Sequence, residues 1–254
     1  MSALLSVTGV SRRFGGYLAL SDVACEIAAG QIHALIGPNG AGKTTLFNIV
    51  SGTLRPTTGR LIFQGTDYTG RRPDRVLQMG IARNFQQVRL IRGLSIVENV
   101  MVGCHARINQ GIIGNAAALI GRAGGERDAA NKARETLDFV GLSTKRHQRA
   151  LELSLSDQRR VEIARALASD PTLLLLDEPA AGMNPAEVNE LSRLIRLIRD
   201  RGITIVLVEH HVRLIMAIAD TVTVLSAGSV IANGPPRAVQ RDPAVISSYL
   251  GTRP

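Results

Sequence analysis

Short apolar runs punctuate the chain at residues 4–10, 32–36, 61–63, 173–176, 203–208 and 221–225. Each has the length of a strand. Several lack the apolar–polar alternation of a half-exposed strand, which predicts burial on both faces. Between these runs, apolar residues recur at helical spacing. Residues 185–201 carry Val188, Leu191, Leu194, Ile195 and Ile198 on one face, with Pro185 at the start and Gly202 just past the end, the usual helix punctuation. Residues 157–169 repeat the pattern with Val161, Ala164, Leu167 and Ala168. Strands alternating with helices predict an α/β fold on a mainly parallel sheet. From about 88 to 153 the pattern is helix-like without clear strands and is interrupted by a Gly/Ala-rich stretch at 109–125, which predicts an inserted helical lobe. Residues 243–250 read as a short terminal helix.

Composition narrows the class. With 254 residues and 45% hydrophobic content, the chain can bury one large core with a smaller attached lobe. No run approaches the roughly 18 apolar residues of a membrane span, and the first residues lack the basic-then-apolar layout of a secretory leader. A cytoplasmic site of action is expected. Cys25 and Cys104 have no metal or disulfide spacing and read as packing residues. The net charge of +9 invites a nucleic-acid partner, but arginines dominate, scattered singly or in pairs, and only 3% of residues are aromatic. Base-stacking surfaces need more aromatics than that, so no nucleic acid is expected as a partner.

The candidate chemistry begins between the run at 32–36 and an apolar helix at 46–50. The linking residues are Gly37-Pro38-Asn39-Gly40-Ala41-Gly42-Lys43-Thr44-Thr45. Glycines at this spacing let the backbone curl so that successive N–H groups face phosphate, and the following helix adds its positive end. Lys43 is placed to reach the β- and γ-phosphates and Thr44 to ligate Mg²⁺. Far downstream, the run at 173–176 ends in Asp177-Glu178-Pro179. At the edge of a parallel sheet the first acid suits Mg²⁺ and the second suits the attacking water. The run at 203–208 ends in Glu209-His210-His211. His210, directly after Glu209, is the better candidate to touch a γ-phosphate.

Taken with Arg83-Asn84-Phe85-Gln86-Gln87, these motifs resemble the ATP-binding cassette (ABC) transporter ATPases over essentially the whole chain. The resemblance implies a P-loop NTPase core with a mainly parallel sheet, a small antiparallel β part, a helical subdomain at 88–164 and a short helical tail at 235–254, in a single domain spanning 1–254. It implies ATP and Mg²⁺ as cofactors. Gln86 would contact Mg²⁺ and water and couple nucleotide state to the lobe, and Phe14 would stack on adenine. Residues 80–90, the segment Ala180-Ala181-Gly182-Met183-Asn184-Pro185 and the terminal Tyr249-Leu250-Gly251 are similar to the branched-chain (hydrophobic) amino acid uptake subfamily. By that likeness the partners would be a second homologous ATPase subunit (a different chain, or a copy of this one), two membrane permease subunits and a periplasmic solute-binding protein. The site of action would be the cytoplasmic face of the inner membrane. A lipopolysaccharide-export ATPase shares the tail but matches less well around Gln86 and Asn184. Amide or urea uptake stays open as an alternative cargo.

One stretch departs from the family. The signature Leu-Ser-Gly-Gly-Gln, which closes on the partner's ATP, corresponds here to Leu153-Ser154-Leu155-Ser156-Asp157-Gln158. Ser156 replaces a glycine that gives the γ-phosphate close backbone access, and Asp157 adds negative charge nearby. Because each signature serves the partner's site, the expectation is an asymmetric pair in which the site holding Lys43 and Glu178 does most of the hydrolysis. Two other classes fare worse. A guanine-nucleotide switch needs Asn-Lys-x-Asp, and Asn131-Lys132-Ala133-Arg134 lacks the acid; a nucleic-acid ABC ATPase usually has a second cassette, coiled coil or zinc insert.

Overall fold

A computed structural model describes residues 3–84, 90–108 and 118–250. It begins with β1 (Ala3–Phe14), β2 (Tyr17–Ala28), β3 (Ile32–Ile36), α1 (Lys43–Val50), β4 (Thr58–Phe63), β5 (Thr66–Asp67), α2 (Pro73–Gln78) and β6 (Ile81–Arg83). The middle is helical, with α3 (Ile96–Ile108), α4 (Ala118–Phe139) and α5 (Leu155–Leu167). The last part alternates again as β7 (Leu173–Asp177), α6 (Pro185–Asp200), β8 (Thr204–Val208), α7 (Val212–Ile218), β9 (Thr221–Ser226), β10 (Ser229–Gly234), α8 (Pro236–Val239) and α9 (Pro243–Leu250).

Two sheets form. One has the order β2-β1-β4-β5 and its pairings are antiparallel. The other runs β10-β9-β3-β8-β7-β6; it is parallel from β9 to β6, and β10 joins antiparallel at the edge. The carboxyl ends of β3, β8 and β7 therefore lie side by side, and each leads into one of the polar motifs. The apolar run of β7 is explained by burial on both faces. Leu173 and Leu175 pack with Phe47, Leu46 and the antiparallel strands, whereas Leu174 and Leu176 pack with Val161, Leu137, Ile195 and Ile205. Each fully buried leucine contributes about 2 kcal/mol relative to an exposed one. The second cluster also contains Ile96, Val100 and Ala133, so the middle helices share their core with one face of the parallel sheet. Val239 and Val245 close a third cluster over Ala34, Ile215 and Val224.

Local chemistry sets several boundaries. Asn184 Oδ1 accepts the Ala186 and Glu187 N–H groups, and Glu187 returns to the Asn184 N–H, a reciprocal cap that starts α6 beside Pro185. Helix α5 begins at Leu155, two residues before the apolar periodicity does, because Ser154 caps it by accepting the Asp157 N–H at 3.2 Å. The strands β2, β5, β6 and β10 lie outside the apolar runs. Register shifts in the β1–β2 pairing interrupt alternation in β2, and a three-residue strand such as β6 is too short to show a period. Burial pushes the Cys25 thiol up to about 12 and also raises that of Cys104, as packing cysteines require. Among the described residues no helix is long and apolar enough to cross a membrane.

Candidate nucleotide site

The loop after β3 curls through Gly37, Gly40 and Gly42, with φ of 149°, 78° and 99°. Sterics demand glycine at two of these positions. A Cβ on Gly37 would lie 2.1 Å from the Leu225 carbonyl oxygen, and one on Gly42 would lie 2.8 Å from that of Ala19. Lys43, 6% exposed, turns back over the loop and donates to the carbonyls of Gly37 at 2.7 Å and Pro38 at 2.9 Å. Burial lowers the ammonium pKa, and the negative charge of Glu178 opposes that shift. Among the described residues, the hydrogen bonds of this buried cation go to neutral carbonyls of its own loop, which fits a phosphate chain that will take those donors.

The cavity in front of the loop measures about 290 Å³ and is lined by residues 39–45, Tyr17, Ala19, Glu178 and His210. Asn39, Ala41, Thr44 and Thr45 thus stand together with the two candidate catalytic groups. Glu178 leaves β7 with φ of 46°, a left-handed conformation uncommon for a residue with a Cβ. Its N–H donates to Val208 at 2.9 Å, and its Oε1 lies 2.9 Å from Nε2 of His210. Glu209, 2% exposed, holds the neighbouring backbone. Its Oε1 accepts the Ala180 N–H at 2.7 Å and its Oε2 accepts the His210 N–H at 3.0 Å. His211 instead occupies the N-cap position of α7 without a side-chain capping bond and is exposed.

Asp177 is 2% exposed. Its Oδ2 accepts from Nη2 of Arg83 at 2.8 Å, and its N–H donates to Asn84 Oδ1 at 2.7 Å. Neither Arg83 nor Asn84 carried a role in the sequence reading; their approach to Asp177 depends on β6 pairing with β7. Gln86 lies outside the described residues. Phe14 is half exposed beneath the Arg12 guanidinium, 4.6 Å from its ring centroid, and pairs across the hairpin with Tyr17. Tyr17, not singled out by any sequence motif, supplies the aromatic wall of the cavity.

At the signature stretch, Asp157 is not an unpaired charge. Its Oδ2 lies 2.5 Å from Nζ of Lys145. Ser154 is occupied as the cap, Gln158 Nε2 donates to the Leu153 carbonyl at 2.9 Å, and Ser156 is buried. No cluster of three metal-ligating side chains occurs among the described residues.

Comparison with known proteins gives the family of the chain. Residues 20–181 match the ABC transporter family, and residues 229–253 match the family described as branched-chain amino acid ATP-binding cassette transporter. The high-affinity branched-chain amino acid transport ATP-binding protein LivG of Escherichia coli K12 is 40% identical over 249 residues, 98% of each chain. The corresponding protein BraF of Pseudomonas aeruginosa is 37% identical over 98% of each. Among solved structures, a nucleotide-free ATP-binding cassette from an ABC transporter superposes with a TM-score of 0.86 at 30% identity, over 98% of this chain and 100% of that one. A cassette in its ADP conformation gives 0.86 at 28% identity, over 99% and 100%.

Proposed function

Because the chain belongs to the ABC transporter family of ATP-binding proteins, ATPases coupled to transport, we propose that it powers a membrane importer for branched-chain or other hydrophobic amino acids. For the reaction, the carrying observation is the Glu178–His210 contact at the mouth of the phosphate-loop cavity. For the cargo, it is the match of the C-terminal residues together with the full-length likeness to LivG and BraF.

In this reading the loop N–H groups and Lys43 bind the phosphates of ATP, and Thr44 and Asp177 hold the metal. Bound Mg²⁺ neutralises charge on the phosphate oxygens. Glu178 accepts a proton from the attacking water, as a carboxylate within reach of the reacting group does. His210, oriented through Glu209, steadies Glu178 and faces the γ-phosphate. Tyr17 joins Phe14 as a candidate platform for the base, and Gln86 is assigned to the metal and water by family likeness. Residues 88–164 act as the helical subdomain and 235–254 as the tail.

A second ATPase subunit, a homologue or a second copy, supplies the signature facing this chain's ATP. This chain's Ser154, Ser156, Asp157 and Gln158 face the ATP of that subunit. Two permease subunits anchor the pair at the cytoplasmic face of the membrane, and a periplasmic binding protein delivers cargo. The groove of about 370 Å³ between α2, α3 and α5 is the candidate permease contact, since it is lined by the exposed Val102 and the partly buried Leu77 and has Arg83 in its wall. Nucleic acid is not a partner in this reading. Basic side chains are dispersed and several are paired locally, as in Arg72–Asp74, Arg146–Asp138 and Arg160–Glu190.

The test is reconstitution of the complex in liposomes. With the binding protein present, leucine, isoleucine or valine should stimulate ATP hydrolysis and accumulate inside. Stimulation by urea or a short amide, with none by leucine, would reassign the cargo.

The Lys145–Asp157 pair yields a narrower prediction. Lys145 neutralises Asp157 beside the partner's phosphate, so Lys145→Ala is expected to lower turnover at the partner's site about 5-fold, equivalent to about 1 kcal/mol. Asp157→Asn in the same background should restore it. Hydrolysis rates of the complex check both; a loss that Asp157→Asn leaves uncorrected assigns Lys145 another role.

A further inference from the structure

Arg83 joins three parts of the nucleotide site. The parallel register places it beside Leu175, so its side chain emerges on the same sheet face as Asp177, two residues further along β7. That face is the one covered by α1. Through Nη1 the guanidinium donates to Asn48 Oδ1 at 2.7 Å and Ser51 Oγ at 2.9 Å; through Nη2 it donates to Asp177 Oδ2 at 2.8 Å. Its central carbon stands over the Phe47 ring, 5.0 Å from the centroid. The side chain is 11% exposed. Among the described residues, no hydrogen bond reaches the second carboxylate oxygen, Oδ1, while the Asp177 backbone is fixed by Asn84.

We propose that Arg83 is a positioning residue for the metal site: by tying Oδ2 of Asp177 to α1, it presents Oδ1 to the divalent cation bound with ATP. The proposal rests on the ATPase reading above. Helix α1 begins with Lys43 and Thr44, so the same guanidinium that orients the carboxylate also fixes its distance from the hydroxyl assigned to the cation. Lysine cannot replace this. An ammonium is a compact point charge, whereas the planar guanidinium reaches Asn48, Ser51 and Asp177 at once. Partners that orient metal-holding carboxylates typically cost 10–100-fold in metal affinity when removed.

The experiment uses the full chain, a non-hydrolysable ATP analogue and Mn²⁺ as a paramagnetic probe. Arg83→Lys should weaken Mn²⁺ binding to the nucleotide-loaded protein about 10-fold or more. Affinity for the analogue in chelator, without metal, should stay within about twofold of wild type, which a merely structural role would not predict. Arg83→Gln should weaken Mn²⁺ at least as much; should it fail to fold, Arg83→Lys decides. Unchanged or tighter Mn²⁺ binding in Arg83→Lys overturns the proposal. So does a parallel fall in metal-free nucleotide affinity, because the loop itself would then have been disturbed. Failure of the wild-type chain to bind the analogue at all strikes instead at the ATPase reading, and the two failures are thereby distinguished.

Discussion

Replacing Glu178 with glutamine is expected to slow steady-state hydrolysis by the assembled complex roughly 10²–10⁴-fold, the usual contribution of a positioned general base. Glutamine has nearly the same shape, so the left-handed backbone at this position and the contact with His210 can both persist. What disappears is the ability to accept a proton from water. ATP affinity should therefore hold, because Lys43 and the loop glycines are untouched. The same substitution separates equal from unequal sites. Most turnover should vanish with Glu178, and the matching change in the partner subunit should cost much less. Equal losses would show that Ser156 and the neutralised Asp157 form a competent signature.

Acid should destabilise the fold through a histidine far from any phosphate. His33 is the second residue of β3, 1% exposed, with Nε2 2.8 Å from the Thr223 hydroxyl. Burial pushes its pKa down to about 4, against about 6.5 for an exposed imidazole. Between those values the unfolded chain binds a proton that the folded chain refuses, so stability rises with pH across that window and is lost as pH falls through it. The loss from pH 6.5 to pH 4 should be about 3 kcal/mol, levelling off as pH falls below the folded pKa. Denaturant midpoints across the window check it, with His33→Gln as reference because its amide does not titrate. The difference in slope isolates His33 from the carboxylates. A wild-type curve parallel to that of His33→Gln would remove the buried imidazole from the account.

What could be read in advance follows from where the constraint resides. Strand β7 was legible because burial on both faces leaves four leucines in a row, and α6 because one apolar face and a Pro start repeat a standard pattern. The phosphate loop was legible because two of its glycines, Gly37 and Gly42, meet carbonyls at distances that admit no Cβ. The neighbours of Asp177 were not. Arg83 and Asn84 reach it only once a three-residue strand pairs with β7, and nothing local announces such a pairing. Lys145 and Asp157 are twelve residues apart, so a negative charge that looks obstructive in the linear sequence is answered by a lysine the fold brings alongside. Tyr17 follows the hairpin turn that Phe14 precedes, and which of the two aromatics faces the cavity is decided by the hairpin's path. The left-handed backbone of Glu178 likewise leaves no mark on residue type.

The two-sided burial of β7 also makes the active site intolerant of changes in length. Inserting or deleting one residue between Leu173 and Leu176 would turn the leucines that follow the change to the opposite face and carry Asp177 about 3.3 Å along the strand, away from Arg83 and the loop. Length variation in descendants of this sequence should therefore collect in surface connections, with the spacing from β7 to Glu178 kept as a fixed gauge.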